Sequence, residues 1–176
     1  MKFGIIADTH ITYNSNKGMV SSLISQLKHC FNDIDEIIHA GDICEDFFLK
    51  ELETIAPIKC VKGNLDKIEN LETFIKFRVS RYNIGIIHIL PKNLEEFAKK
   101  YDIHILIYGH THQPLIKGTN FNVLLINPGS PVKPKAPPPK PGFFKPVARR
   151  TVITLNIDDN DVLSTFIINL KSAKFS

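Results

Sequence analysis

Apolar residues in this chain come in short runs that close on polar or glycine residues, and these runs alternate with stretches of helical spacing. Lys2-Phe-Gly-Ile-Ile-Ala7 reads as a first strand. From Met19 to Phe31, apolar residues fall at 20, 23, 24, 27 and 31, the spacing of one helical face. Asp35 to Ala40 reads as a second strand. Apolar positions 47, 48, 52 and 55 mark a second helix, which Pro57 closes. Ile58-Lys-Cys-Val61 is a third strand. Residues 67–82 predict either a strand through Phe74, Ile75, Phe77 and Val79 or an irregular connection. Asn83 to Ile87 is a strand. Leu94 to Tyr101 is a short helix, with Asn93 as its cap and Glu95 and Glu96 in its first turn. Ile103–Tyr108 and Phe121–Ile126 follow as strands. Thr151–Ile157 and Val162–Leu170 alternate like an antiparallel pair, joined by the turn residues Asp158–Asp161.

Strand–helix alternation in the first half and strand–strand succession in the second predict an α/β fold. Two sheets face each other as a layered β-sandwich flanked by helices. A length of 176 residues predicts one domain over 1–176 with a sizeable core. The 43% hydrophobic and 23% charged content is that of a soluble globular chain, and no apolar run is long enough for a membrane span. Asp8 stands where a secretory signal would keep its apolar stretch, so the N-terminus reads as a first strand and not a targeting peptide. The three cysteines, Cys30, Cys44 and Cys60, are widely spaced, which favours reduced thiols in a cytoplasmic protein. Cys30 and Cys60 read as core fillers; Cys44 follows Asp42 closely enough to reach a site rim, though a plain structural role is the better expectation.

Net charge changes the picture only locally. The chain carries +4, but residues 131–150 hold Lys133, Lys135, Lys140, Lys145, Arg149 and Arg150 without an acid. Setting these six aside leaves about −2 for the rest.

The chemistry concentrates at strand ends. The run to Tyr108 is followed by Gly109-His-Thr-His112, with two imidazoles one residue apart. Four other strand-like runs also end in ligand-type residues: Asp8-Thr-His10, Gly41-Asp42, Gly63-Asn64 and His88. Each alone has a plain reading as a turn, a surface polar pair or a buried histidine. Together they would need five independent turns to place seven donors along one sheet edge by accident. Ligands of open α/β sheets bind beyond the carboxyl ends of strands, and every candidate lies there. Two carboxylates, one amide and four imidazoles suit two divalent cations. Such ions can share a bridging hydroxide as nucleophile and neutralise charge on a phosphoryl oxygen. The nitrogen-rich set favours Mn, Fe, Ni, Co or Zn over Mg or Ca, with manganese foremost.

Asp8-x-His10, Gly41-Asp42, Gly63-Asn64-x-Asp66, His88 and Gly109-His-x-His112 occur in the order found in the calcineurin-like metallophosphoesterase superfamily, which this chain resembles. Its length and Asn127-Pro-Gly-Ser130 make it similar to the small YfcE-type phosphodiesterases. The resemblance covers nearly the whole chain except residues 131–150. It implies a metallophosphoesterase-like sandwich and a metal-dependent phosphodiesterase, a phosphoric ester hydrolase. Asp8, His10, Asp42 and His112 would hold one metal; Asn64, His88 and His110 would complete the second. Asp42 would bridge. Catalysis would run through Asp42, Asn64 and His110 by way of the metals and the bridging hydroxide.

Two positions depart from the resembled family. Leu65 stands where many relatives carry a histidine that assists the leaving group, and such help is typically worth about 10²–10⁴-fold. Ile89 follows His88 where such relatives commonly read His-Gly-His, which makes that side apolar. Asp66 reads as a loop anchor, and His39 as a buried strand histidine with a local partner. His29 and His104 match no motif.

Residues 131–148 form a basic, proline-rich insertion that samples polyproline II geometry. It reads as a solvated loop, as a basic lid steering anionic substrates, or as a docking strip for a protein partner with Phe143 and Phe144 as anchors. The expected substrate is a small phosphate ester. The alternative is a non-catalytic or weakly active interaction module resembling the phosphoesterase-like retromer subunit. The body is not basic and has no aromatic-rich basic groove, which argues against nucleic acid.

Overall fold

The computed structural model describes residues 1–171. Thirteen elements follow one another: β1 (Lys2–Ile6), α1 (Lys17–Cys30), β2 (Glu36–His39), α2 (Asp46–Glu53), β3 (Ile58–Cys60), β4 (Phe74–Val79), β5 (Tyr82–Ile87), α3 (Leu94–Lys100), β6 (Ile105–Tyr108), β7 (Pro114–Gly118), β8 (Leu124–Pro128), β9 (Thr151–Ile157) and β10 (Leu163–Asn169). They make two five-stranded sheets, ordered β10-β9-β1-β2-β3 and β4-β5-β6-β8-β7. Strands β1, β2 and β3 run parallel, as do β5, β6 and β8. Outside these the pairings are antiparallel: β9 on β1 and β10 on β9 in the first sheet, β4 on β5 and β7 on β8 in the second.

Strand alternation sorts the apolar residues into three layers. Phe3, Ile5 and Ile38 of the first sheet meet Ile84, Ile86, Ile105, Ile107 and Ile126 of the second. On the outer face of the first sheet, Ile6 and Ile37 pack against Leu23 and Leu27 of α1 and Phe48 and Leu52 of α2. On the outer face of the second, Leu106, Tyr108 and Leu125 meet Ala98 and Phe97 of α3. The sandwich with helices outside is therefore as the hydrophobic pattern predicts.

Local signals fix the starts of α1 and α3. Asn16 Oδ1 accepts from Met19 N–H at 3.0 Å, and Asn93 Oδ1 from Glu96 N–H at 3.2 Å. Each cap satisfies a first-turn N–H that has no helical partner. The ambiguous stretch 67–82 resolves into β4, paired in register with β5. Strand β7 is an addition that the hydrophobic pattern did not announce. It opens on Pro114 at a sheet edge, a position that tolerates a missing N–H. Among the described residues, no helix is long and apolar enough to cross a membrane.

Candidate metal centre

The parallel strands of both sheets deliver their carboxyl ends to one edge of the sandwich, and there the main chain turns sharply. Asp8, His10, Asp42, Cys44, His110 and His112 all have positive φ, between 49° and 79°. L-residues reach this left-handed region only at a cost of roughly 1–3 kcal/mol each, and such strain gathers at functional sites. What holds the turns is main-chain pairing that outlasts the strands. Asp8 N–H donates to Gly41 O and His10 N–H to Asp42 O, both at 3.0 Å. Glycine is required where loops touch: a Cβ on Gly63 would lie 2.2 Å from Asp42 N and Oδ1, and one on Gly41 (φ +87°) would lie 2.6 Å from His88 Nδ1.

All seven predicted donors converge. Asp8 Oδ1 lies 3.5 Å from His112 Nε2 and 3.9 Å from His10 Nε2. The two imidazole Nε2 atoms face each other at 3.1 Å. Asp42 Oδ2 is 3.8 Å from His10 Nε2 and 3.5 Å from His88 Nε2, so it lies between the two histidine sets. Asn64 Oδ1 is 3.1 Å from both His88 Nε2 and His110 Nδ1. Among the described residues, two groups are compact enough to hold a cation: Asp8, His10 and His112, and Asp8, Asp42 and His88. Asp8 belongs to both. Asp8, His10, Asp42, His88 and His112 are buried, while Asn64 and His110 stand exposed at the mouth.

Supporting contacts orient the ligands. His88 Nδ1 donates to Ala40 O at 2.8 Å, and His112 Nδ1 donates to Lys133 O at 2.6 Å. Each bond turns Nε2 inward, the usual arrangement of a metal-binding histidine. Asp66 anchors the third loop as expected: its carboxylate accepts from Gly63 N–H at 2.6 Å, Cys44 N–H at 2.6 Å and Asp42 N–H at 3.1 Å. Ser130 Oγ donates to Asp8 O at 2.7 Å, and Asn127 Nδ2 to Gly109 O at 2.9 Å. His39 is buried and paired with Thr9 Oγ1 at 3.1 Å. His104 lies away from the centre, accepting Asn83 N–H, and His29 is exposed in the last turn of α1.

Electrostatics separate the two carboxylates. Burial pushes Asp8 up to about 7, against the pull of His88. Burial would also raise Asp42, but the His88 hydrogen bond, the Leu65 N–H and the charges of His88 and His10 outweigh it and hold Asp42 at about 2. Burial lowers His10 to about 4 and also lowers His112. For His88, burial is overcome by Asp42 and the Ala40 carbonyl, and the pKa rises. Asp8 Oδ2 is buried without a hydrogen-bond partner among the described residues. A buried carboxylate oxygen with no donor is costly, and a cation is the partner that removes the cost. Mixed carboxylate, amide and imidazole donors fit divalent transition metals.

Cys44, which its nearness to Asp42 put within reach of the rim, is buried with Sγ 3.9 Å from His10 Nδ1, so it lines the site as well as filling space. The Lys133 carbonyl that orients His112 was not legible in sequence; it comes from the proline-rich segment. Leu65 and Ile89, next in sequence to the candidate donors Asn64 and His88, are 53% and 48% exposed.

A family model for the calcineurin-like phosphoesterase superfamily domain matches residues 1–155, and the chain belongs to that superfamily. A probable metallophosphoesterase of Methanothermobacter thermautotrophicus is 35% identical over 147 residues, covering 79% of this chain and 82% of that protein. The structure of an archaeal phosphodiesterase superposes with a TM-score of 0.69 at 25% identity, over 96% of this chain and 100% of that one. Vps29 of Entamoeba histolytica complexed with zinc gives 0.68 at 21%, covering 96% and 99%. The E. coli phosphoesterase YfcE gives 0.60 at 16%, covering 94% and 98%. The last two likenesses are of fold.

Proposed function

We propose that this chain is a two-metal phosphoesterase that hydrolyses phosphodiesters, with a small phosphate ester as substrate. The observation that carries the reading is the unpartnered Asp8 Oδ2 inside a ring of inward-facing imidazoles held on strained turns. Asp8, His10, Asp42 and His112 would hold one ion, and Asn64, His88 and His110 a second, with Asp42 between them. Divalent ions bound there, manganese foremost, would supply an activated water and positive charge for the phosphoryl oxygens. The chain's own part is orientation. The Ala40 and Lys133 carbonyls fix the His88 and His112 rings. The Leu65 N–H holds Asp42 Oδ1 at 2.9 Å, which leaves Oδ2 toward the histidines. No proton donor stands at position 65, so a good leaving group is favoured. The three free thiols fit a reducing, cytoplasmic setting.

The test is turnover of a generic phosphodiester and a generic phosphomonoester with Mn, Ni, Co, Zn and Mg, beside elemental analysis. Asp42→Asn is expected to lose metal and turnover together. Full activity with intact metal content in that variant would sink the assignment.

A second reading, an interaction module, is favoured by the exposed apolar residues Leu65 and Ile89 at the mouth and by Phe144, fully exposed on the proline-rich segment. Vps29 shares the fold. Protein capture that depends on residues 131–148, with no turnover under any of the five metals, would select it.

A further inference from the structure

The segment after Ser130 leaves the centre pinned to it. Ser130 Oγ accepts from Val132 N–H at 3.2 Å and Lys133 N–H at 2.8 Å, while donating to Asp8 O. Lys133 O receives the His112 ring proton at 2.6 Å, and Lys135 N–H returns to His112 O at 3.1 Å. Gln113 Nε2 donates to Ala136 O at 3.1 Å. Arg150 Nε donates to Pro131 O, and Thr151 N–H to Ser130 O at 3.4 Å, so the excursion closes where it began.

Exposure alternates along the pinned part. Val132, Pro134 and Ala136 are half-buried, and Val132 packs beside the helix-side core. Lys133 and Lys135 are exposed. Both residues are tied to His112 through their own main chain, Lys133 by its carbonyl and Lys135 by its N–H. Pro131 and Pro134 fix the backbone on either side of Lys133, so little conformational entropy remains to be lost on binding. Lys140 and Lys145 differ, since they ride on the exposed tip.

We propose that Lys133 and Lys135 form a phosphate clamp. Their ammonium groups take anionic oxygens of the substrate phosphate on the Asp8–His10–His112 side of the centre. They supply from this segment the charge neutralisation that Leu65 cannot give on the Asn64 side. The clamp explains why a proline-rich, acid-free stretch is tied to a metal-ligand ring by its own main chain. The identity of the ligand as a phosphate ester rests on the proposed phosphoesterase function.

The test uses the metal-loaded full chain and two readouts: calorimetric titration with inorganic phosphate, and KM for a generic phosphodiester. In Lys133→Ala/Lys135→Ala the carbonyl and N–H that hold His112 remain, so metal content should match the unaltered protein. Phosphate Kd and KM are each expected to rise about tenfold, the change that follows from losing roughly 1.4 kcal/mol of binding. The salt dependence of phosphate binding should flatten. Arginine at both positions should restore most of the affinity, and Lys140→Ala should change nothing. Unchanged phosphate affinity and KM in the double alanine variant would overturn the clamp while leaving the enzyme standing. Lysine-dependent phosphate binding with no ester turnover would keep the clamp and overturn the phosphoesterase reading.

Discussion

At the scale of residues, the centre is a set of groups that water or protons would otherwise have to satisfy. Burial raises Asp8 to about 7, and a cation binding there would have to displace its proton. His10, already near 4, is neutral through the physiological range and offers no such competition. Metal affinity is therefore expected to weaken as pH falls below about 7, by about tenfold per unit for each proton released. Competition with a chelator between pH 5.5 and 8 checks the slope; a flat profile would contradict it. His39 has the opposite consequence for folding. Burial depresses it to about 3 from 6.5. The unfolded chain binds the proton first, so the stability His39 contributes is whole above 6.5 and is lost as pH falls toward 3. Urea denaturation from pH 7 to 4 should show this acid loss, reduced in His39→Gln. Asp66 does its work through main chain. Asp66→Ala leaves three N–H groups without their acceptor and is expected to cost about 1–3 kcal/mol. It should also lower metal content, since Asn64 lies on the loop it closes. Thermal denaturation beside elemental analysis reads both effects.

At the scale of elements, what is half-buried and regular was legible, and what depends on tertiary partners was not. Strand β1 announces itself as a short apolar run that closes on Asp8, helix α1 by its single apolar face, and Asn16 and Asn93 cap where their side chains can reach first-turn N–H groups. Strand β7 was silent because Pro-Leu-Ile-Lys-Gly has neither clean alternation nor length; only β8 beside it makes it a strand. The seven donors were legible because their residue types are rare together at strand ends. The Lys133 carbonyl was not, because a backbone oxygen has no sequence signature; Cys44 could be placed near the rim from its nearness to Asp42 but not against His10, because a loop's path sets what a thiol touches. Helix α1 matters to the centre only through packing. Leu27 is fully buried against the first sheet, so Leu27→Ala is expected to cost about 2–5 kcal/mol. Below the lowered melting point its metal content should remain intact. Metal loss in the still-folded variant would show that α1 positions ligands directly.

At the scale of the molecule, two parallel strand triplets facing each other bring donors from distant parts of the chain to one edge, while the faces behind them stay apolar. The strained loops are held to the sandwich by main-chain bonds that continue past the strand ends. Leu65 and Ile89, the two departures from the resembled pattern, are both exposed, and the candidate donors beside them, Asn64 and His88, still lie 3.1 Å apart. The central claim is that the gathered donors hold two ions for ester cleavage. It is tested most directly by measuring bound metal per chain and diester turnover on the same manganese-loaded sample. Two equivalents of metal with metal-dependent cleavage that prefers the diester over the monoester is the predicted result. Two equivalents of bound metal with no turnover of either ester would contradict it.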